Sequence, residues 1–343
     1  MFSQILLNKQ NLIDNVLYLK NHTKGKLCVM VKANAYGHGE EEVVSILNDY
    51  VEAFGVSNQS EAFAIREITD KQIIVFGGCE DYFECMANGV GFALLSFRQA
   101  KKIVEIYKHS NIKPKMHLCV NSGMNRYGVR DELECKKIVS LLKKNGLSLE
   151  GIYTHFSSMT TDPDYTKRQK EIFVDMYNLL PDDWKCIVHV GGGRSVFEEL
   201  TADMHRVGLY VYGYGDENLK PVLSIKSKIV DLQKVKKGEH VGYLCGFTAE
   251  KNMTVATVPL GYGDGLPRRL SNNLKVSVNG REVENVGNIC MDAFMIDVSS
   301  VKCKVGDEIT IFEDASMVAE LLGTTEYEVL TNFCKFRGER KII

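Results

Sequence analysis

Between residues 27 and 208, eight short apolar or alternating runs recur, separated by longer segments of helical character. They are Leu27 to Lys32, Glu52 to Ser57, Gln72 to Gly77, Val90 to Ser96, Lys115 to Asn121, Leu149 to Ser157, Cys186 to Gly191 and Ala202 to Gly208. Between them lie Glu41 to Asn48, Ser60 to Ile68, Phe97 to His109, Asp131 to Lys144 and Thr166 to Leu179, several with apolar residues three and four apart. Such alternation is what parallel strands joined by crossover helices require. Eight units predict a closed (β/α)8 barrel of the TIM type, with an open sheet as the alternative. At 343 residues the chain is longer than one usual domain. After Gly213 the texture changes to β-rich runs: Val222 to Leu232, Met253 to Leu260, Leu274 to Val278, Phe294 to Val298 and Glu308 to Phe312. Asn279-Gly280 between two runs signals a type I′ hairpin. A boundary is therefore expected within 213–221, giving a barrel over 1–215 and a mainly antiparallel domain over 216–343.

Val31-Lys32-Ala33-Asn34-Ala35-Tyr36-Gly37-His38-Gly39 places a lysine where the first run ends and a glycine-bearing loop begins. Burial there would disfavour the ammonium and push Lys32 towards a neutral, nucleophilic amine. The plainer alternative is a lysine snorkelling from a strand end. Barrels gather their chemistry at the carboxyl ends of the strands. Arg126 falls just past the fifth run, His155 late in the sixth, Gly191-Gly192-Gly193 after the seventh and Arg206 towards the end of the eighth. Singly these read as a loop arginine, a core histidine, a flexible turn and a partner for a surface acid. Their shared rim favours a site. Gly191 to Ser195 opens a candidate helix, so its backbone N–H groups and the Ser195 hydroxyl could receive a phosphate.

A formal charge of −2 gives no general electrostatic case for nucleic acid or an anionic membrane. The start lacks the basic flank and apolar core of a signal peptide, and no run approaches the roughly 20 apolar residues that span a bilayer. A cytoplasmic protein is expected. The ten cysteines include no Cys-x-x-Cys and the eight histidines no His-x-x-x-His, so no metal site is expected.

Val31 to Gly39 resembles the cofactor-lysine motif of the alanine racemases, pyridoxal 5′-phosphate enzymes built from a (β/α)8 barrel and a β-rich C-terminal domain. Further matching segments are Ser122 to Gly128, Tyr153 to Phe156, Arg206 to Gly208, Val241 to Tyr243, Gly261 to Gly265, Cys290 to Asp292 and Tyr327 to Val329. The resemblance implies that Lys32 forms the internal aldimine, with Tyr36, Gly192, Gly193, Ser195, Gly208, Leu209 and Tyr327 around the phosphate. It implies that Lys32 and Tyr243 are the two bases that invert Cα. A phenol ordinarily titrates near 10, so Tyr243 would need positive charge nearby, with His155 and the arginines as its sources. Arg206 would face the pyridine nitrogen and keep it unprotonated, favouring reprotonation over transamination or decarboxylation. Arg126 and the Met291 backbone would meet the cofactor oxygen and substrate carboxylate. Tyr243 and Met291 would come from a partner subunit, making a homodimer the catalytic unit.

Five positions in three places depart from that pattern. Cys119 and Asn121 replace a lysine, often carbamylated, and an aspartate, leaving Arg126 to be positioned by a bound anion or by Asn121. Gly192-Gly193 replaces a common Asn-Ser pair, and Asn288 an arginine near the substrate entrance. The implied function is an amino-acid racemase acting on alanine, with serine or another small amino acid as the alternative substrate. Competing readings on the same barrel are a pyridoxal-phosphate decarboxylase, which would need a carboxylate where Arg206 stands, and a pyridoxal-phosphate carrier, which would lack the second domain.

Overall fold

The computed structural model describes residues 2–198 and 202–343. Two compact units divide the chain. One comprises Ile13–Lys32 and Val43–Val211; the other comprises residues up to Leu12, Ala33–Glu42 and Tyr212–Ile343.

Strand β1 (Gln4–Leu7) belongs to the second unit, and β2 (Lys26–Met30) begins the barrel of the first. The barrel continues through β3 (Ala53–Val56), β4 (Gln72–Val75), β5 (Gly91–Leu94), β6 (Met116–Cys119), β7 (Gly151–His155), β8 (Ile187–Gly191) and β9 (Met204–Val207). All neighbours are parallel, and β9 closes on β2 with Cys28 opposite Arg206. The closed alternative is therefore the one adopted. These strands are rich in Val, Ile, Leu and Phe and buried on both faces, as parallel strands under helices must be. Fully burying such a side chain stabilises by roughly 1.5–3 kcal/mol.

The barrel helices start where short polar side chains cap them. Asn58, Asp81, Ser96, Asp131 and Asp162 each accept from the backbone N–H three residues on. A cap satisfies a donor that the first helical turn leaves unpaired. The helix expected from Thr166 begins three residues earlier, at Pro163, because Asp162 caps it and proline suits the first turn.

The second unit contains β10 (Leu223–Lys228), β11 (Asp231–Val235), β12 (His240–Val241), β13 (Phe247–Thr248), β14 (Met253–Val258), β15 (Lys275–Val278), β16 (Arg281–Glu284), β17 (Phe294–Asp297), β18 (Glu308–Phe312) and β19 (Glu339–Ile342). One sheet has the order β16-β15-β18-β10-β1-β19, with only the β1–β19 pair parallel; a second is β11-β14-β17. The run Val222 to Leu232 thus feeds two sheets, breaking at Ile229-Val230. Asn279 and Gly280 have φ of 50° and 76° in the β15–β16 hairpin, the conformation a type I′ turn demands. No helix among the described residues is long and apolar enough to cross a membrane.

Candidate active site

In the barrel unit, Lys32 follows β2, whose Val31 N–H is tied to the Gly55 carbonyl at 2.8 Å. Burial and the positive charge of Arg126 hold its amine below the ordinary lysine range, while Glu61 opposes them. The neutral amine is therefore available at lower pH than on a surface lysine. His155, the last residue of β7, is pushed down to about 3 by burial and by the charges of Arg206, Arg126 and Lys32. His155 is neutral at physiological pH, so the arginines, not this imidazole, supply positive charge at the rim.

Arg206 on β9 is 6% exposed. Its Nη1 donates to His189 Nδ1 at 2.9 Å and to the His189 carbonyl at 3.2 Å, and its Nη2 to the Thr154 carbonyl at 2.6 Å. Tyr153 and Phe76 stack against the guanidinium at 4.6 and 5.0 Å. These partners are neutral, whereas a buried cation usually acquires a carboxylate. Three of its five donors are thus engaged without any of its charge being cancelled.

Arg126 stands on the exposed loop after β6, over the Tyr127 ring at 5.6 Å. Asn121 Oδ1 accepts from Gly123 N at 3.3 Å and from Asn125 N at 2.9 Å, so one amide side chain shapes this loop. Cys119 lies beneath it, and a Cβ on Gly128 would sit 2.7 Å from its Sγ. Burial raises the thiol's pKa, and no nitrogen is present there to carry a carbamate. Asn121 thus shapes the backbone that carries Arg126.

The stretch after β8 forms a 3-10 turn, Gly193–Phe197, rather than a longer helix. Gly192 adopts φ 119°, closed to other residues, and a Cβ on Gly193 would meet the Tyr210 ring at 2.1 Å. The glycine pair is thus matched to Tyr210. Ser195 donates its N–H to the Gly192 carbonyl at 2.8 Å, and its buried hydroxyl lies 3.4 Å from His205 Nδ1. Gly208 and the buried Leu209 lead the turn after β9, closed by Val211 N to the Gly208 carbonyl at 2.9 Å.

In the second unit, Ala33, Asn34, Ala35 and Tyr36 form a left-handed turn with φ between 50° and 54°. The Asn34 side chain pins it, donating to the Cys334 carbonyl at 3.1 Å and accepting from Glu40 N at 2.8 Å. His38 Nδ1 lies 3.0 and 3.1 Å from the Ala35 and Tyr36 carbonyls. Tyr36 packs against Tyr212 at 5.1 Å and Tyr327 at 5.7 Å, so two of the tyrosines expected at the phosphate are neighbours.

Tyr243 and Met291 are 71% and 52% exposed. Tyr243 opens a turn in which Leu244 and Cys245 have φ of 60° and 49°. Asn288 Nδ2 holds that turn through the Tyr243 carbonyl at 2.7 Å, a role invisible in the sequence. The Met291 carbonyl accepts from Gly263 N at 2.9 Å, and Arg337 bridges Asp264 at 2.7 Å and Asp292 at 2.8 Å.

Burial depresses several histidines. His38 titrates at about 4 and His117 and His155 at about 3, against an ordinary 6.5. On acidification the unfolded chain takes up these protons first, so their contribution to stability is complete above about pH 6.5 and is lost as pH falls towards the folded values. The urea midpoint should therefore drop between about pH 7 and pH 5. A midpoint flat across that interval would show that these imidazoles are solvated.

The chain matches the family model for the N-terminal domain of alanine racemase over residues 7–216 and that for its C-terminal domain over 222–342. Alanine racemase of Francisella philomiragia is 32% identical, with 95% of this chain and 96% of that protein covered. Alanine racemase of Fusobacterium nucleatum is 35% identical over 90% of each. The solved alanine racemase of Clostridium difficile 630 superposes with a TM-score of 0.94 at 31% identity, covering 100% of this chain and 96% of that one. Both domain models match in order along a chain whose lysine, arginines and tyrosines sit as described, and the chain belongs to the alanine racemase family.

Proposed function

We propose that this protein interconverts L- and D-alanine with pyridoxal 5′-phosphate, Lys32 and Tyr243 serving as its two bases. The carrying observation is Arg206, a buried cation held by neutral acceptors. Opposite a ring nitrogen such a group withholds a proton, where a carboxylate would stabilise one. The chain's residues fit the cofactor. Lys32 offers an amine of lowered pKa, and Gly191 and Gly193, lacking a Cβ, let Arg206 and Tyr210 come close to the backbone after β8. When bound, pyridoxal 5′-phosphate supplies an electron-withdrawing conjugated ring that acidifies the substrate Cα–H.

Tyr36, Gly192, Gly193, Ser195, Gly208, Leu209 and Tyr327 would hold the phosphate, and Arg206 the ring nitrogen. Arg126 and the Met291 backbone would orient the substrate carboxylate, with neutral His155 as a hydrogen-bonding neighbour. Lys32 then takes or returns a proton at Cα from one side and the Tyr243 phenol from the other. Residues 1–215 form the cofactor domain in this reading, and 216–343 the domain carrying Tyr243.

A homodimer completes the site in the same reading. Tyr243, Leu244 and Met291 are apolar groups left exposed on one chain, with Leu244 at 85%. The ten cysteines are all free, which supports a reducing cytoplasm. The test is incubation of the holoenzyme with single L-amino acids in D2O, following Cα deuteration and chirality. Alanine should exchange and racemise faster than serine. Exchange with neither amino acid refutes the proposal, and carbon dioxide release would assign a decarboxylase instead.

A further inference from the structure

Two imidazoles that are given no proton to carry in the reaction above lie wholly buried in the barrel, His117 on β6 and His189 on β8, the latter already met as an acceptor for Arg206. The strands around them are shaped to admit them. A Cβ on Gly151 of β7 would stand 2.4 Å from His117 Nδ1, and one on Gly91 of β5 would stand 3.3 Å from its Nε2. Tyr153 stacks on the His189 ring at 4.9 Å, and Phe76 meets its edge at 5.9 Å. Buried imidazoles retained at such a cost in neighbouring side chains need hydrogen-bond partners.

The direction of their hydrogen bonds is forced. A guanidinium has donors only, so His189 Nδ1, 2.9 Å from Arg206 Nη1, must accept, and the His189 proton lies on Nε2. That Nε2–H is 3.0 Å from His117 Nδ1, which must accept in turn, placing the His117 proton on its Nε2. Burial and the Arg206 charge hold both rings neutral, His117 at about 3 and His189 well below its ordinary value. At the far end His117 Nε2 is 3.4 Å from the Gln72 amide nitrogen, itself 2.8 Å from a Glu150 carboxyl oxygen. Two donors cannot bond there. Turning the amide end for end makes its oxygen the acceptor for His117, and burial raises the pKa of the Glu150 carboxyl beside it.

We propose that His117 is a positioning residue for Arg206, acting through His189: its Nδ1 accepts the His189 proton and so holds His189 as the neutral acceptor that aims the guanidinium. This rests on the function proposed above, since it is the ring nitrogen of the cofactor that the aimed charge would face. A carboxylate in place of His189 would hold Arg206 as firmly but would cancel its charge. An imidazole free to turn would present an N–H to it. The two-ring array avoids both.

The first test is imidazole 15N NMR of the holoenzyme. Both rings should show an unprotonated Nδ1 and a protonated Nε2, unchanged between about pH 5 and pH 8. A proton on either Nδ1, or titration within that range, overturns the proposal. This measurement requires no turnover, so it stands or falls separately from the assigned reaction. The second test compares His117→Leu with His117→Asn, because the asparagine Oδ1 can occupy the place of His Nδ1. The leucine variant should lose about 10- to 100-fold in kcat, the scale of leaving one buried donor unpaired, with KM for alanine little changed. It should also convert more of its cofactor to the amine form per racemisation event. The asparagine variant should restore both. If asparagine fails to rescue, or the partition between racemisation and transamination does not move, His117 is a packing residue only.

Discussion

Lys32→Ala will lower racemisation by roughly 10⁴-fold or more and will remove the absorbance of lysine-bound cofactor, while leaving the fold intact. Lys32 follows a strand whose backbone is secured independently of its side chain, so truncation should disturb the amine and little else. A small exogenous amine should restore part of the activity, since what is missing is a base and not a contact surface. Tyr243→Phe should behave differently. Its cofactor absorbance should persist, and Cα deuterium exchange should survive from one enantiomer of alanine and fail from the other. Loss of the absorbance in that variant, or symmetric loss of exchange, would contradict the division of labour between amine and phenol.

The second large effect is on stability. Gly37→Ala should destabilise the protein by about 2–5 kcal/mol, combining the cost of placing a Cβ in the left-handed region with that of overpacking. Gly37 has φ 82°, and its Cβ would lie 2.2 Å from the Leu330 carbonyl oxygen, a backbone atom that cannot swing aside. The preceding turn already carries four non-glycine residues in the left-handed region, each costing roughly 1–2 kcal/mol. That strain is tolerated because the turn is tied down by Asn34, by the Cys334 thiol on the Ala33 carbonyl at 2.9 Å and by Arg340 on the Gly37 carbonyl at 3.4 Å. Urea unfolding measures the loss directly. A shift under about 0.5 kcal/mol would mean that the turn relaxes in solution.

What could be read from the sequence follows from the range of the forces involved. The barrel strands are legible because each carries a local apolar run between helical segments, and the hairpin because Asn279-Gly280 encodes its own turn. Strand β1 has no comparable signal: four residues are too few, and its partners are β10 and β19, both far along the sequence. The division of Val222 to Leu232 between two sheets is likewise a choice made by distant partners. Among the residues proposed for the reaction, Lys32, Arg126, His155, Arg206 and Tyr243 stand out in the sequence through motifs and strand ends. His117 and His189 do not, since a histidine within a strand looks the same whether it faces a helix or another ring. Their only sequence trace is the pair of glycines, Gly91 and Gly151, opposite which a large side chain could be accommodated. Asn34 and Asn288 escaped for a related reason: each fixes a backbone turn through a carbonyl, and carbonyls have no identity in a sequence.

A carbamate on a lysine is a reversible adduct whose occupancy follows dissolved carbon dioxide. The amide of Asn121 is permanent, and the thiol of Cys119 offers no site for such an adduct. The loop bearing the arginine proposed to meet the substrate is shaped here by an amide of the chain itself. Position 119 therefore gives dissolved carbon dioxide no purchase on that loop, and a carbamate cannot tune it from there.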